Sequence, residues 1–180
     1  MKTINAFTIA LAVTAFPAAV SAEEVALSET HLCCGQCVVV VAKTLKSVEG
    51  VTDAKCDREK KTVTFKATNK KTAQAGLNAL VRAGFYGTAK VDGKAVKLPG
   101  GKVKAGTKAA KANFVGAHLC CGQCVKAVQA AVKSVDGVKE VSVDRKKRTI
   151  SVSGTEIDVA AVIAALNKAG FSCRYAAKKT

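Results

Sequence analysis

The chain is written twice. His31-Leu32-Cys33-Cys34-Gly35-Gln36-Cys37-Val38 recurs letter for letter as His118 to Val125, an offset of 87 positions. Ser47-Val48-Glu49-Gly50-Val51 returns as Ser134-Val135-Asp136-Gly137-Val138, and Asp57-Arg58 as Asp144-Arg145, at the same offset. Ala83-Gly84-Phe85 matches Ala169-Gly170-Phe171 at 86, so one residue has been lost, around the turn before the second helix of the second copy. A repeat of this length implies one supersecondary unit used twice.

Each copy yields the same element order. Val25 to Leu32, mirrored by Asn113 to Leu119, reads as an extended run leading into the cysteine loop. Val38, Val41, Leu45 and Val48 then follow at helical spacing, as do Val125, Val128, Val132 and Val135. Gly50 and Gly137 stand where these helices are expected to end. Two short strands come next, turning at Asp57 to Lys61 and Asp144 to Arg148. A second helix follows, with Ala73, Leu77, Leu80 and Gly84 or Val159, Val162, Leu166 and Gly170 on its stripe, and with Thr72 and Asp158 as expected N-caps. Residues 86–91 and 172–177 close each copy as edge strands. The predicted fold class is α+β: two ferredoxin-like βαββαβ modules, each a four-stranded antiparallel sheet with both helices on one face.

Residues outside the repeat have their own composition. Met1-Lys2, an apolar run from Ile4 to Val20 and the small residues Val20-Ser21-Ala22 predict a secretory leader over 1–22. Pro17 interrupts the run, which is short for a bilayer span, so no transmembrane segment is expected in the mature chain. The predicted divisions are therefore 1–22 leader, 23–91 first module, 92–112 linker and 113–180 second module. Seven Lys and one Asp between Lys90 and Ala112, with Pro99-Gly100 in the middle, predict a flexible linker, part of it a short hairpin. Formal net charge is +16. That balance fits a solvated Lys-rich surface or an anionic surface as partner. Few aromatics speak against stacking on single-stranded nucleic acid, and no specific nucleic-acid partner is expected.

Eight cysteines in an exported chain suggest a disulfide framework. Six of them sit in two tight clusters, however, which close almost no loop and have the spacing of ligand sets. Cys34-Gly35-Gln36-Cys37 and Cys121-Gly122-Gln123-Cys124 lie where a strand ends and a helix begins. Exposed amides and partial positive charge there favour thiolate over thiol. Thiolates without hard oxygen neighbours select Cu(I), Hg(II), Cd(II) or Zn(II).

This combination of loop, element order and Ala-Gly-Phe ending resembles the heavy-metal-associated domain family, which includes copper chaperones and the periplasmic mercury-binding protein. The resemblance implies that Cys34, Cys37, Cys121 and Cys124 bind metal, about one ion per module, and that Leu32 and Leu119 anchor the loops from beneath. It implies that Phe85 and Phe171 lie close to the loops. This chain departs from the family pattern in two ways. Cys33 and Cys120 add a third thiol to each loop, and His31 and His118 replace a glycine. The added thiols allow trigonal sites, and the imidazoles stand either as extra ligands of a tetrahedral site or as surface residues at strand ends. Cys56 aligns with Val143 and reads as a small buried hydrophobe. Cys173 reads as edge-strand packing or as a fourth thiol.

The leading expectation is a non-enzymatic, exported (periplasmic or extracellular) monomer that sequesters a soft ion or passes it to a metal-transporting protein. Two ions per chain are expected, lost together in Cys34→Ser with Cys121→Ser. A thiol-disulfide redox protein is the alternative, weakened because both prolines lie outside the modules. A basic protein coating an anionic surface is a third.

Overall fold

The computed structural model describes residues 22–101 and 103–177. The predicted leader lies outside the described residues except for Ala22. Among the described residues no helix is long and apolar enough to cross a membrane.

The first half runs β1 (Glu23–Ser28), α1 (Gly35–Lys46), β2 (Val51–Asp57), β3 (Thr62–Ala67), α2 (Lys70–Ala83), β4 (Thr88–Val91) and β5 (Lys94–Val96). The second runs β6 (Lys108–Val115), α3 (Gly122–Lys133), β7 (Val138–Asp144), β8 (Thr149–Asp158), α4 (Val159–Lys168) and β9 (Arg174–Tyr175). The chain is thus α+β, with two antiparallel sheets ordered β2-β3-β1-β4-β5 and β7-β8-β6-β9. In each sheet the first strand of the half is central, so the loop after it starts from a well-held position.

Each half has its own core. Val41 and Leu45 of α1 and Ala73, Leu77 and Leu80 of α2 pack over Val25, Leu27, Val63 and Phe65. Val128, Val132, Val162 and Leu166 cover Phe114, Ile150 and Val152 in the second half. Alternation along β3 and the helical stripes place these side chains on one face of each sheet.

The elements differ from the sequence expectation at their ends. α1 stops at Lys46 with Ser47 as its C-cap, and Gly50 (φ 79°) turns the chain into β2 three residues later. The left-handed helix cap belongs instead to Gly84 after α2 (φ 100°). Asn69, not Thr72, caps α2: its side chain accepts from the Thr72 amide at 2.9 Å. Thr72 is the donor there because the helix begins at Lys70, two residues before it. Asp158 caps α4 as expected, accepting from Ala160 and Ala161. The lost residue shows in the same region, since β8 runs directly into α4 while Thr68 and Asn69 separate β3 from α2.

The Lys-rich segment is less loose than its composition predicts. Asp92 (φ 48°) and Gly93 (φ 74°) form the hairpin that pairs β4 with β5, and Leu98 is buried in the first core. An Asp-Gly pair takes two successive positive φ values at little cost, and that turn overrides the charge. β6 also starts at Lys108, earlier than expected, because Lys108 and Ala109 pair with Asp158 and Ile157.

Candidate metal centre

The two halves meet through their cysteine loops and their Ala-Gly-Phe turns. Phe85 and Phe171 bridge antiparallel to each other. The amides of Tyr86 and His31 donate to Gly170 O, and those of Ser172 and His118 donate to Gly84 O. Each turn glycine therefore faces the backbone of the other half. A side chain on Gly84 would strike the His118 amide and Gly116 carbonyl, and one on Gly170 would strike the His31 amide. Positive φ (100° and 86°) adds a second reason for glycine at both places.

Around this seam the sulfurs converge. Cys33 Sγ lies 3.4 Å from Cys121 Sγ and 3.5 Å from Cys124 Sγ. Cys120 Sγ mirrors it at 3.4 Å from Cys34 and 3.6 Å from Cys37. Within each loop, Cys34–Cys37 and Cys121–Cys124 are 3.9 and 3.8 Å apart. The separate sites expected in each half are thus one cluster of six sulfurs across the seam. All six are free thiols. Cys37 and Cys124 are fully buried on the first turns of α1 and α3, while the other four are half-buried.

The loops are held from several sides. Leu32 and Leu119 are buried beneath them, as the resemblance implied. Cys34 and Cys121 occupy N-cap positions without a side-chain cap bond, which leaves helix amides facing sulfur. Burial pushes the Cys34 thiol up, but the Cys37 amide, the Cys120 thiol and the Gln36 amide outweigh it and bring Cys34 down to about 7. Cys33, without such amides, is pushed up to about 12 by burial and by its bonds with Cys121 and Cys124. Burial and the bond to Cys34 raise Cys120 as well. Cys37 is raised, first by donating toward Cys124 and then by burial; Cys124, accepting from Cys37, is lowered. Protons are therefore shared between sulfurs of the two halves, and a cation entering the cluster displaces them.

Cys56 and Cys173 stand apart from this set, whereas the histidines border it, and the His31 side chain adds to the lowering of the Cys124 thiol. Among the described residues two groups of four cysteines are close enough to surround an ion: Cys33, Cys34, Cys120, Cys121, and Cys33, Cys37, Cys120, Cys124. His31 and His118 belong to neither. Their rings stack on Phe171 and Phe85 of the opposite half, with centroids 4.3 and 4.5 Å apart. They are seam residues rather than the exposed strand ends that sequence offered as one reading. Burial lowers the His118 pKa. Cys173 is buried in the second core and pushed up to about 12 by that burial, away from both groups. It packs the core and is not a fourth thiol. Cys56, half-buried on β2 opposite Val63, packs against the first core.

Residues 118–172 match the family model of the heavy-metal-associated domain. That stretch contains the whole second cysteine loop. Copper-transporting ATPase 2 of Rhizobium meliloti (strain 1021) is 25% identical over 143 residues, which is 78% of this chain and 15% of that protein. This chain therefore spans only a small part of that relative's length. Among solved structures, the N-terminal domain of PacS from Synechocystis PCC6803 is 22% identical, covers 38% of this chain and 100% of its own, and has a TM-score of 0.35. The N-terminal soluble domains of Bacillus subtilis CopA are 20% identical, cover 88% of this chain and 97% of their own, with a TM-score of 0.33.

Three residues at the centre escaped the sequence reading. Arg58 donates to Cys33 O at 3.2 Å and Arg145 to Cys120 O at 2.6 Å, bracing each loop and bringing a guanidinium up to it. The repeated Asp-Arg pair is the signal in the sequence, where it reads as part of a charged turn. Arg148 donates to Ala117 O at 3.0 Å, to Gly116 O, and across the seam to Ala83 O at 2.8 Å. No spacing rule points to such a staple.

Proposed function

We propose that this chain is an exported, non-enzymatic protein of two heavy-metal-associated modules that binds a soft cation and stores it or hands it on. The convergence of six sulfurs from two copies of one loop carries the reading. The donor set is all thiol, with no carboxylate in either four-residue group, and such a set suits Cu(I), Zn(II), Cd(II) or Hg(II) over hard ions. The copper-transporting relative favours copper as a cargo and a metal transporter as the partner class. Assignment of the first half as a second module rests on the repeated loop and on the matching element order. Each loop meets its counterpart within one chain, which supports a monomer. Export rests on the leader-like first 22 residues.

Competitive titration of the reduced, oxygen-free chain with Cu(I), Zn(II) and Hg(II) tests the reading. Retention at least a hundredfold tighter than in a variant with all six loop cysteines changed to Ser is expected. Equal retention by the two proteins ends it.

Thiol-disulfide exchange is the second reading, favoured by one observation: the Cys34 thiol brought down to about 7 at a helix start. Insulin reduction separates the two, since a metal carrier should show no turnover above free dithiol.

A further inference from the structure

The two groups of four sulfurs share two members. Cys33 and Cys120 belong to both; Cys37 and Cys124 complete one group, Cys34 and Cys121 the other. We propose that the six thiols form one binuclear site in which Cys33 and Cys120 each bridge two divalent d10 cations. This inference rests on the soft-metal reading above and adds how the ions are arranged. The inner ion would be held by Cys33, Cys37, Cys120 and Cys124, the outer by Cys33, Cys34, Cys120 and Cys121.

Size supports it. Zinc–sulfur bonds of about 2.3 Å make a tetrahedron whose sulfurs are about 3.8 Å apart. Four edges of the inner group measure 3.8 Å (Cys33–Cys37), 3.5 Å (Cys33–Cys124), 3.6 Å (Cys37–Cys120) and 3.5 Å (Cys120–Cys124). Two cross-seam edges of the outer group, Cys33–Cys121 and Cys34–Cys120, are 3.4 Å each. Small outward shifts bring these to tetrahedral size.

Charge supports it as well. Six thiolates at these separations repel strongly in a half-buried setting. Two divalent ions leave a core of about −2. Arg58 and Arg145 supply two guanidinium groups, one on the carbonyl of each bridging cysteine and neither on the terminal ones. The arrangement also gives Cys33 and Cys120 a role that a two-thiol chelate lacks. It splits every CxxC pair: Cys34 and Cys37 serve different ions, and each ion takes two sulfurs from each half.

The splitting makes the inference testable apart from metal binding itself. The reduced full chain is loaded with ¹¹³Cd(II), counted by native mass spectrometry and observed by ¹¹³Cd NMR. Two ions per chain are expected, giving two resonances coupled to each other through shared sulfur. Cys34→Ser with Cys121→Ser should keep one ion on the inner four sulfurs, whereas separate CxxC sites would both be damaged equally. Cys33→Ser with Cys120→Ser should abolish the coupling. Two uncoupled resonances in the parent chain, a single ion, or loss of both ions in the Cys34/Cys121 variant overturns the bridged arrangement while leaving soft-metal binding intact. A parent chain that retains no Cd(II) overturns the soft-metal reading too.

Discussion

The halves share a backbone plan and differ in what their side chains do at the seam. Lys61 and Arg148 occupy matching positions and both have φ 52°. Arg148 uses its guanidinium to bind three carbonyls, one of them across the seam; Lys61 makes no comparable bond among the described residues. The second half supplies the staple and the first supplies the surface it grips. Other differences follow the same pattern. Gly87 lies so close to Ser28 O that it admits no side chain, while Cys173 at the matching place is buried in the second core. The first sheet gains β5 from the Asp92-Gly93 turn, while the second ends on the two-residue β9. The halves share the turns and loops that set the geometry and differ in the side chains that bear on the seam.

The largest expected effect tests the seam glycines against each other. Gly84→Ala and Gly170→Ala should each cost about 2–4 kcal/mol in denaturant unfolding, combining left-handed strain with overpacking. Gly84→Ala should cost more, because Arg148 holds the Gly116 and Ala117 carbonyls beside it and that backbone cannot retreat. Equal costs, or a larger one at Gly170, would break the asymmetry just described.

A smaller effect is expected from exchanging the staple. Arg148→Lys makes the second half resemble the first and should cost about 1–2 kcal/mol, since one ammonium cannot serve three carbonyls in the guanidinium geometry. Lys61→Arg should change stability by less than about 0.5 kcal/mol, since the Lys61 side chain makes no bond among the described residues that the exchange would remove. Calorimetry of both variants decides whether the staple is one-sided.

The smallest is a shift in reactivity. Without metal, alkylation of Cys34 should rise with pH around a midpoint near 7, as its thiolate forms. Cys173, pushed up to about 12 by burial, should stay unmodified over the same range. Peptide mapping against pH reads both; a Cys34 midpoint at the ordinary thiol value would mean that the helix amides do not face its sulfur.

Much of each half was legible in the sequence because its determinants are local. Apolar spacing gave α1, α3 and α4, Asp158 gave a cap, and the loop's place at a helix start followed from where alternation stops. Leu32 and Leu119 were legible through the family resemblance. The meeting of the loops was not legible. Gly84 and Gly170 read as ordinary residues of a helix end, and only tertiary structure shows that another backbone occupies the space beside them. His31 and His118 were readable as ligands or as surface groups, but their stacking on Phe171 and Phe85 joins residues far apart in sequence. Charge misled at the linker, where the turn preference of two residues, Asp92 and Gly93, outweighed a run of lysines.

The connection between β5 and β6 covers only the eleven residues 97–107, and Gly101 on it lies against the Cys173 carbonyl. A tether that short keeps the partner surfaces at an effective concentration on the order of millimolar. Pairing of the loops is then insensitive to dilution, unlike the association of two separate polypeptides. A scarce protein would keep its grip as firmly as an abundant one.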